Sequence, residues 1–361
     1  MLRHLAAVLA LAALGGAGAP AAVGTIGAGT AAVCRDVDVP VSLALLLPAT
    51  VHGRLCLPAG GAQPDSVQLL VHGGTYNGTT YWDVEYRPEL YSYVRAANAR
   101  GIATFAIDRV GYGASSKPPG VTLTGVVHAD TVHQIVGRLR SGAVSGTPFS
   151  KVVLVGHSLG SGTALLAAST YGGVDGLVLT GMTHHQSPAA VADAILNKTY
   201  PAPLDPRFAG SLDLTYLTTV PGVRGEFFYS ARDRAADPGL VAYDEATKDR
   251  VTPTEIADIS AIAFTLPVSL AIDVPVLLAV GSQDNLFCLG LGASNCTSEA
   301  ALLAEERPFF APAACLRATV LPQAGHDLNM APDTAVYRDR VFDWTQAVVE
   351  TGAPPGGCTQ P

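Results

Sequence analysis

The stretch Lys151-Val-Val-Leu-Val-Gly156-His-Ser158-Leu-Gly160-Ser-Gly-Thr-Ala-Leu-Leu-Ala-Ala168 decides the fold. It opens with a short, uniformly apolar run rich in β-branched residues, the signature of a strand covered on both faces. It closes with small residues and leucines that can continue as a tightly packed helix. Between the two lies Gly156-x-Ser158-x-Gly160, a spacing that lets the chain turn sharply from strand to helix and lift a serine hydroxyl above the sheet. A Cβ at either glycine would collide with the neighbouring strand or helix. The helix that follows also points its unpaired first-turn amides and positive dipole end at the serine. In a chain with 38 glycines the five-residue pattern alone means little; its place between an apolar strand and a small-residue helix makes it specific.

Working outward, apolar runs alternate with helical periodicity. Strands are expected at Val67–Val71, Ile102–Ile107, Leu177–Thr180, Val274–Val280 and about Leu316–Leu321, after an N-terminal hairpin of Val39–Leu47 and Val51–Leu57. Helices are expected at Pro88–Asn98, Thr124–Leu139 and from about Asp333 to Val349. This alternation predicts an α/β fold: a mostly parallel central sheet with helices on both faces. The rhythm fails between Thr183 and Ala271, a stretch rich in Pro, Asp, Tyr and Thr. So long a segment reads as an inserted lid or cap, residues 184–271, on a core of residues 33–183 and 272–361. Its Tyr200, Phe208, Tyr216, Phe227, Phe228 and Tyr229 either wall a substrate pocket or form the insertion's own core.

Composition narrows the function. Charged residues are 14% of the chain against 48% hydrophobic, and the formal net charge is −8 with four lysines and no basic run. A nucleic-acid partner is excluded, because phosphate binding needs clustered Lys and Arg. Arg3 and His4, the apolar run Leu5–Leu14 and the small residues beyond describe a secretory signal peptide over residues 1–32. Cleavage after Ala19 and after Ala32 both fit. An uncleaved anchor is the competing reading, but the Leu-rich run is too short to span a bilayer, and no later segment resembles a span. The six cysteines lie beyond this leader, as expected of disulfides in an exported chain. Loop length suggests the pairs Cys34–Cys56, Cys288–Cys296 and Cys315–Cys358. No Cys-x-x-Cys or Cys/His spacing supports a metal site.

The chain resembles the α/β-hydrolase family over most of its length past the leader, with the motifs in that family's order. By this resemblance His72-Gly-Gly74 is the oxyanion loop, and the backbone amides of Gly74 and Leu159 hold the developing negative charge, Thr75 being the alternative to Gly74. Ser158 is the nucleophile. His326, in Gln323-Ala-Gly-His-Asp-Leu between the last expected strand and the terminal helix, is the base. The acid is Asp284, in Gly281-Ser-Gln-Asp-Asn285, with Asp233 as rival; Asp327 points elsewhere, and Asp108 is architectural. His184 and His185 either line the pocket or serve structure. The implied activity is hydrolysis of carboxylic esters, of esterase or lipase type, on a small-molecule or lipid-like ester, with no metal or organic cofactor, outside the cell. A secreted aminopeptidase or amidase is the alternative, although the loop continues Thr75-Tyr-Asn-Gly where such peptidases carry His-Gly-Gly-Pro-Gly. A catalytically inactive binding protein is a third reading.

Overall fold

The computed structural model describes residues 32–60, 63–263 and 266–358; the expected signal peptide falls almost wholly outside them. Ten strands follow in chain order: β1 (Val33–Ser42), β2 (Pro48–Leu57), β3 (Ser66–Val71), β4 (Ala103–Ile107), β5 (Lys151–His157), β6 (Gly176–Thr180), β7 (Thr199–Pro201), β8 (Leu217–Thr219), β9 (Val276–Gly281) and β10 (Arg317–Leu321). Eight of them form one sheet in the order β1-β2-β4-β3-β5-β6-β9-β10. The β1–β2 and β2–β4 pairings are antiparallel, and every pairing from β4 to β10 is parallel. This is the α/β-hydrolase fold.

The apolar runs of the central strands follow from their position. Successive side chains point to opposite faces of a strand, and both faces are covered. Leu69 of β3 and Leu154 of β5 pack with Ile135, Leu139 and Leu165 from the helices Gly125–Arg140 and Leu159–Tyr171. Leu70, Val153 and Val155 pack on the other face with Val94, Val341, Phe342 and Trp344 from the helices Tyr93–Ala99 and Thr334–Thr351. The helix expected at Pro88–Asn98 is two short ones, Pro88–Tyr91 and Tyr93–Ala99. Ser92 breaks it by turning extended and capping the second piece, its hydroxyl accepting from Arg95 N at 3.0 Å.

The described residues of the segment 184–271 hold four helices of six or more residues, Pro188–Leu196, Ala231–Ala236, Pro238–Thr247 and Pro253–Asp258, and the small β7–β8 ribbon. They do not form one layer above the sheet. Phe227, Phe228, Tyr229 and Leu240 belong to the same apolar cluster as Val153 and Val178 of the sheet. His326 N donates to Phe228 O at 2.7 Å, so this part of the insertion is built into the floor of the site. The three disulfides pair as loop length suggested, and the first joins directly paired residues of β1 and β2. Among the described residues no helix is long and apolar enough to cross a membrane.

Candidate active site

The strands β3, β5, β6 and β9 run parallel, so the residues just past their C-terminal ends gather on one rim. Ser158 sits there in a backbone conformation that side-chain-bearing residues rarely adopt, φ 52° and ψ −122°. Such strain costs on the order of 1–3 kcal/mol and persists only where the surroundings enforce it. The surroundings are visible. A Cβ on Gly156 would lie 2.5 Å from Ser161 Cα, and one on Gly160 would lie 2.3 Å from Val71 O at the end of β3. Ser158 N donates to Thr180 O at 2.8 Å, tying the turn to β6.

His326 lies beside this turn. Its ring packs against Gly181, the residue after β6, and lies near-parallel to Phe228 and Phe287, at 5.7 and 5.9 Å. Asp284, fully buried just past the end of β9, accepts a hydrogen bond from His326 Nδ1 at 2.7 Å. Its other oxygen accepts from Leu286 N and Phe287 N, which hold the carboxylate in place. Burial works against the charged imidazole, but the Asp284 carboxylate outweighs it and holds His326 above the ordinary histidine value. Nε2 of His326 is buried without a hydrogen-bond partner, an arrangement that costs energy unless a reacting group completes it. Asp233 does not reach the imidazole; its carboxylate accepts from Gly325 N at 2.7 Å and braces the loop from below.

The third component is the loop after β3. A Cβ on Gly73 would lie 3.1 Å from Ser158 Cβ, and one on Gly74 would lie 2.8 Å from the Leu159 side chain. Thr75 N is already committed to Arg250 O at 2.9 Å, which leaves Gly74 as the amide of this loop beside the serine. Leu159 opens its helix, where an amide has no acceptor within the helix. Ser158, Gly74 and Leu159 line one cavity of about 100 Å³, with Val191, Ile195, Phe227, Val251, Ile256, Leu286 and Phe287 among its walls. Of the insertion's aromatics singled out in the sequence, only Phe227 faces it; Phe208, Tyr216, Phe228 and Tyr229 are packed in the interior.

Residues 68–339 match the sequence profile of the Alpha/beta hydrolase family. The chain belongs to the α/β-hydrolase family. Similar solved structures include an esterase from Thermogutta terrifontis, 18% identical with a TM-score of 0.56, aligned over 86% of this chain and 99% of that one. A carboxyl esterase from Bacillus coagulans is 16% identical with a TM-score of 0.57, over 87% and 99% of the two chains. A lipase in its open form is 18% identical with a TM-score of 0.57, over 87% and 99%. At these identities the likeness establishes the fold. No curated protein matches the chain.

The hydrolase carries buried polar groups around the site that no sequence pattern announced. Asp327 makes no hydrogen bond to the His326 imidazole and instead accepts from Tyr76 Oη and pairs, at 3.2 Å, with His157 Nε2. Burial pushes its carboxyl up to about 6. Tyr76 also reaches Asp244, which pairs with the fully buried Arg224 at 2.7 Å, and Arg224 in turn donates to Thr75 Oγ1 at 2.8 Å. His157, His326 and Asp327 bring three potential ligand atoms within 4.8 Å of one another, but the Asp327 carboxylate already serves Tyr76 and His157. Asp108 accepts from Gly78 N and Ala114 N and is architectural. His184 does not line the cavity: it bridges Glu306 and Ser269, both at 2.7 Å, and so ties the two ends of the segment 184–271 together.

Proposed function

We propose that this α/β-hydrolase is an exported serine hydrolase that cleaves carboxylic esters through Ser158, His326 and Asp284. The observation that carries the reading is the His326–Asp284 pair with its unpartnered Nε2, close to a strained serine that lines an apolar cavity. Ser158 Oγ attacks the ester carbonyl carbon while its proton passes to His326 Nε2. Asp284 holds the proton on Nδ1 and stabilises the imidazolium. The carbonyl oxygen, now negative, accepts from the amides of Gly74 and Leu159, each donor worth about 3 kcal/mol in the barrier. The tetrahedral adduct expels the alkoxide, which takes the proton from His326. Water then repeats the sequence on the acyl-enzyme, releasing the acid and restoring Ser158.

The cavity supports esters over aminoacyl substrates. A free α-ammonium needs a carboxylate partner once it is desolvated, and among the described residues no charged side chain lines the cavity. The apolar space beside Ser158, about 100 Å³, supports a short acyl group. The presence of nucleophile, base and acid speaks against an inactive binding protein. The three disulfides are compatible with an extracellular destination.

The test is hydrolysis of p-nitrophenyl esters of graded chain length by purified protein. Acetate and butyrate are expected to react faster than palmitate. Ser158→Ala is expected to lose the activity together with the adduct formed by a fluorophosphonate probe. Full activity in Ser158→Ala, or preferential cleavage of aminoacyl arylamides, would overturn the proposal.

A further inference from the structure

Arg109 and Glu255 are buried, with side chains 1% and 0% exposed, and the ester mechanism above uses neither. They come from distant parts of the chain. Arg109 follows β4 in the body, and Glu255 lies on the helix Pro253–Asp258 of the insertion. Their ion pair is short, Arg109 Nη1 to Glu255 Oε2 at 2.5 Å, and Tyr112 Oη also donates to Glu255. The Glu255 carboxylate is further fixed by its own helix cap, accepting from Thr252 N at 2.9 Å. His128 Nε2 lies 3.2 Å from it. Burial favours the neutral acid, but the Arg109 guanidinium outweighs this and holds Glu255 far below the usual carboxylate range.

The other arm of the guanidinium is the informative one. Arg109 Nη2 donates to Gly73 O at 3.2 Å. A second donor meets the same oxygen. Arg109 N can only donate, and it does so to His72 Nε2 at 3.0 Å, so the imidazole proton is on Nδ1, which lies 2.7 Å from Gly73 O. Burial first, and then the Arg109 charge, keep this imidazole neutral. Gly73 O and Gly74 N belong to one peptide unit, which is planar and trans, so the carbonyl and the N–H point in opposite directions. Two donors that fix the carbonyl therefore fix the direction of the amide. Gly74 lines the cavity with Ser158 and Leu159.

We propose that Arg109, anchored across the core by Glu255, is a positioning residue that aims the Gly74 amide at the oxyanion. The proposal rests on the ester-hydrolase reading and adds a long-range part to it: one oxyanion donor is oriented by a charge pair that joins the body to the insertion. The helix carrying Glu255 also supplies Ile256 to the cavity wall, so one short helix both anchors Arg109 and lines the cavity.

Arg109→Lys shortens the reach to Gly73 O while keeping a cation for Glu255. Glu255→Gln keeps the shape of the anchor and removes its charge. On p-nitrophenyl acetate both are expected to lower kcat, Arg109→Lys by about 10²-fold, with KM little changed. Affinity for an arylboronic acid, which forms a tetrahedral anion on the serine, is expected to fall in parallel with kcat. A merely structural role would lower the melting temperature and the amount of folded protein without that parallel. Folded Arg109→Lys with wild-type kcat and boronate affinity would overturn the inference. If Arg109→Lys does not fold, folded Glu255→Gln with wild-type values for both would overturn it equally. Wild-type protein that hydrolyses esters and binds boronate alongside such variants fails this inference alone; wild-type protein that does neither fails the ester reading and takes the inference with it.

Discussion

Asp284 shows what one hydrogen bond decides. Two aspartates competed for the acid role on sequence, and only Asp284 reaches His326 Nδ1, at 2.7 Å, whereas Asp233 is spent on Gly325 N. Asp284→Asn is expected to lower kcat by on the order of 10⁴-fold, because the amide no longer holds the working tautomer. Asp233→Asn, which retains an acceptor for Gly325, is expected to lower it far less; steady-state kinetics of the two variants checks the assignment. The same contact sets the pH response. In the proposed mechanism His326 acts as a base only when neutral; burial works against its charged form, and Asp284 stabilises that form against the cost. The acid limb of kcat/KM is therefore expected to lie above the ordinary histidine value of about 6.5, with activity rising as pH rises through it. A pH–rate profile with its midpoint below that value would contradict the arrangement.

At the scale of the element, the turn between β5 and the following helix is enforced by close packing rather than by local preference. Ser158 has a side chain at positive φ, which its own sequence disfavours, and the two flanking glycines let backbone approach backbone. Gly160→Ala would place a methyl 2.3 Å from Val71 O and 2.4 Å from His72 O, where no flexible side chain can give way. The cost is expected at about 3 kcal/mol or more, read as a lower urea midpoint, with loss of activity because the displaced backbone carries both Ser158 and the loop after β3. The insertion teaches the opposite lesson. Its elements lack the alternation that marks the body, because they are short, capped locally by Ser187, Ser230, Asp237 and Thr252, and packed partly against the body rather than against one another. Their roles were not legible: Phe227 enters the cavity while its neighbour Phe228 lies under His326.

Across the whole molecule, the disulfides divide between stability and the site. In the chain-entropy model Cys315–Cys358, with a sequence separation of 43, contributes about 4 kcal/mol, and Cys288–Cys296, with a separation of 8, about 2.5 kcal/mol. Replacing Cys315 and Cys358 together by Ala is expected to lower the melting temperature and leave kcat near wild type. Replacing Cys288 and Cys296 is expected to cost less stability and more activity, because Cys288 N donates to Asp284 O at 2.9 Å and the loop the disulfide closes starts four residues after Asp284. Melting curves and kinetics of the two pairs separate the effects.

The strand-and-helix alternation, the sharp turn at Ser158, the place of His326 between the last strand and the terminal helix, and the cysteine pairs were readable because each is local: a periodicity, a five-residue spacing, a position between two elements. What only the tertiary structure decided is which distant groups meet. The contact of Asp284 rather than Asp233 with His326, the bond from Thr75 N to Arg250 O, and the buried chains Arg109–Glu255 and Tyr76–Asp244–Arg224 all join residues far apart in the chain. A hydrogen bond acts over about 3 Å, and no periodicity along a sequence records which side chains folding brings within that distance.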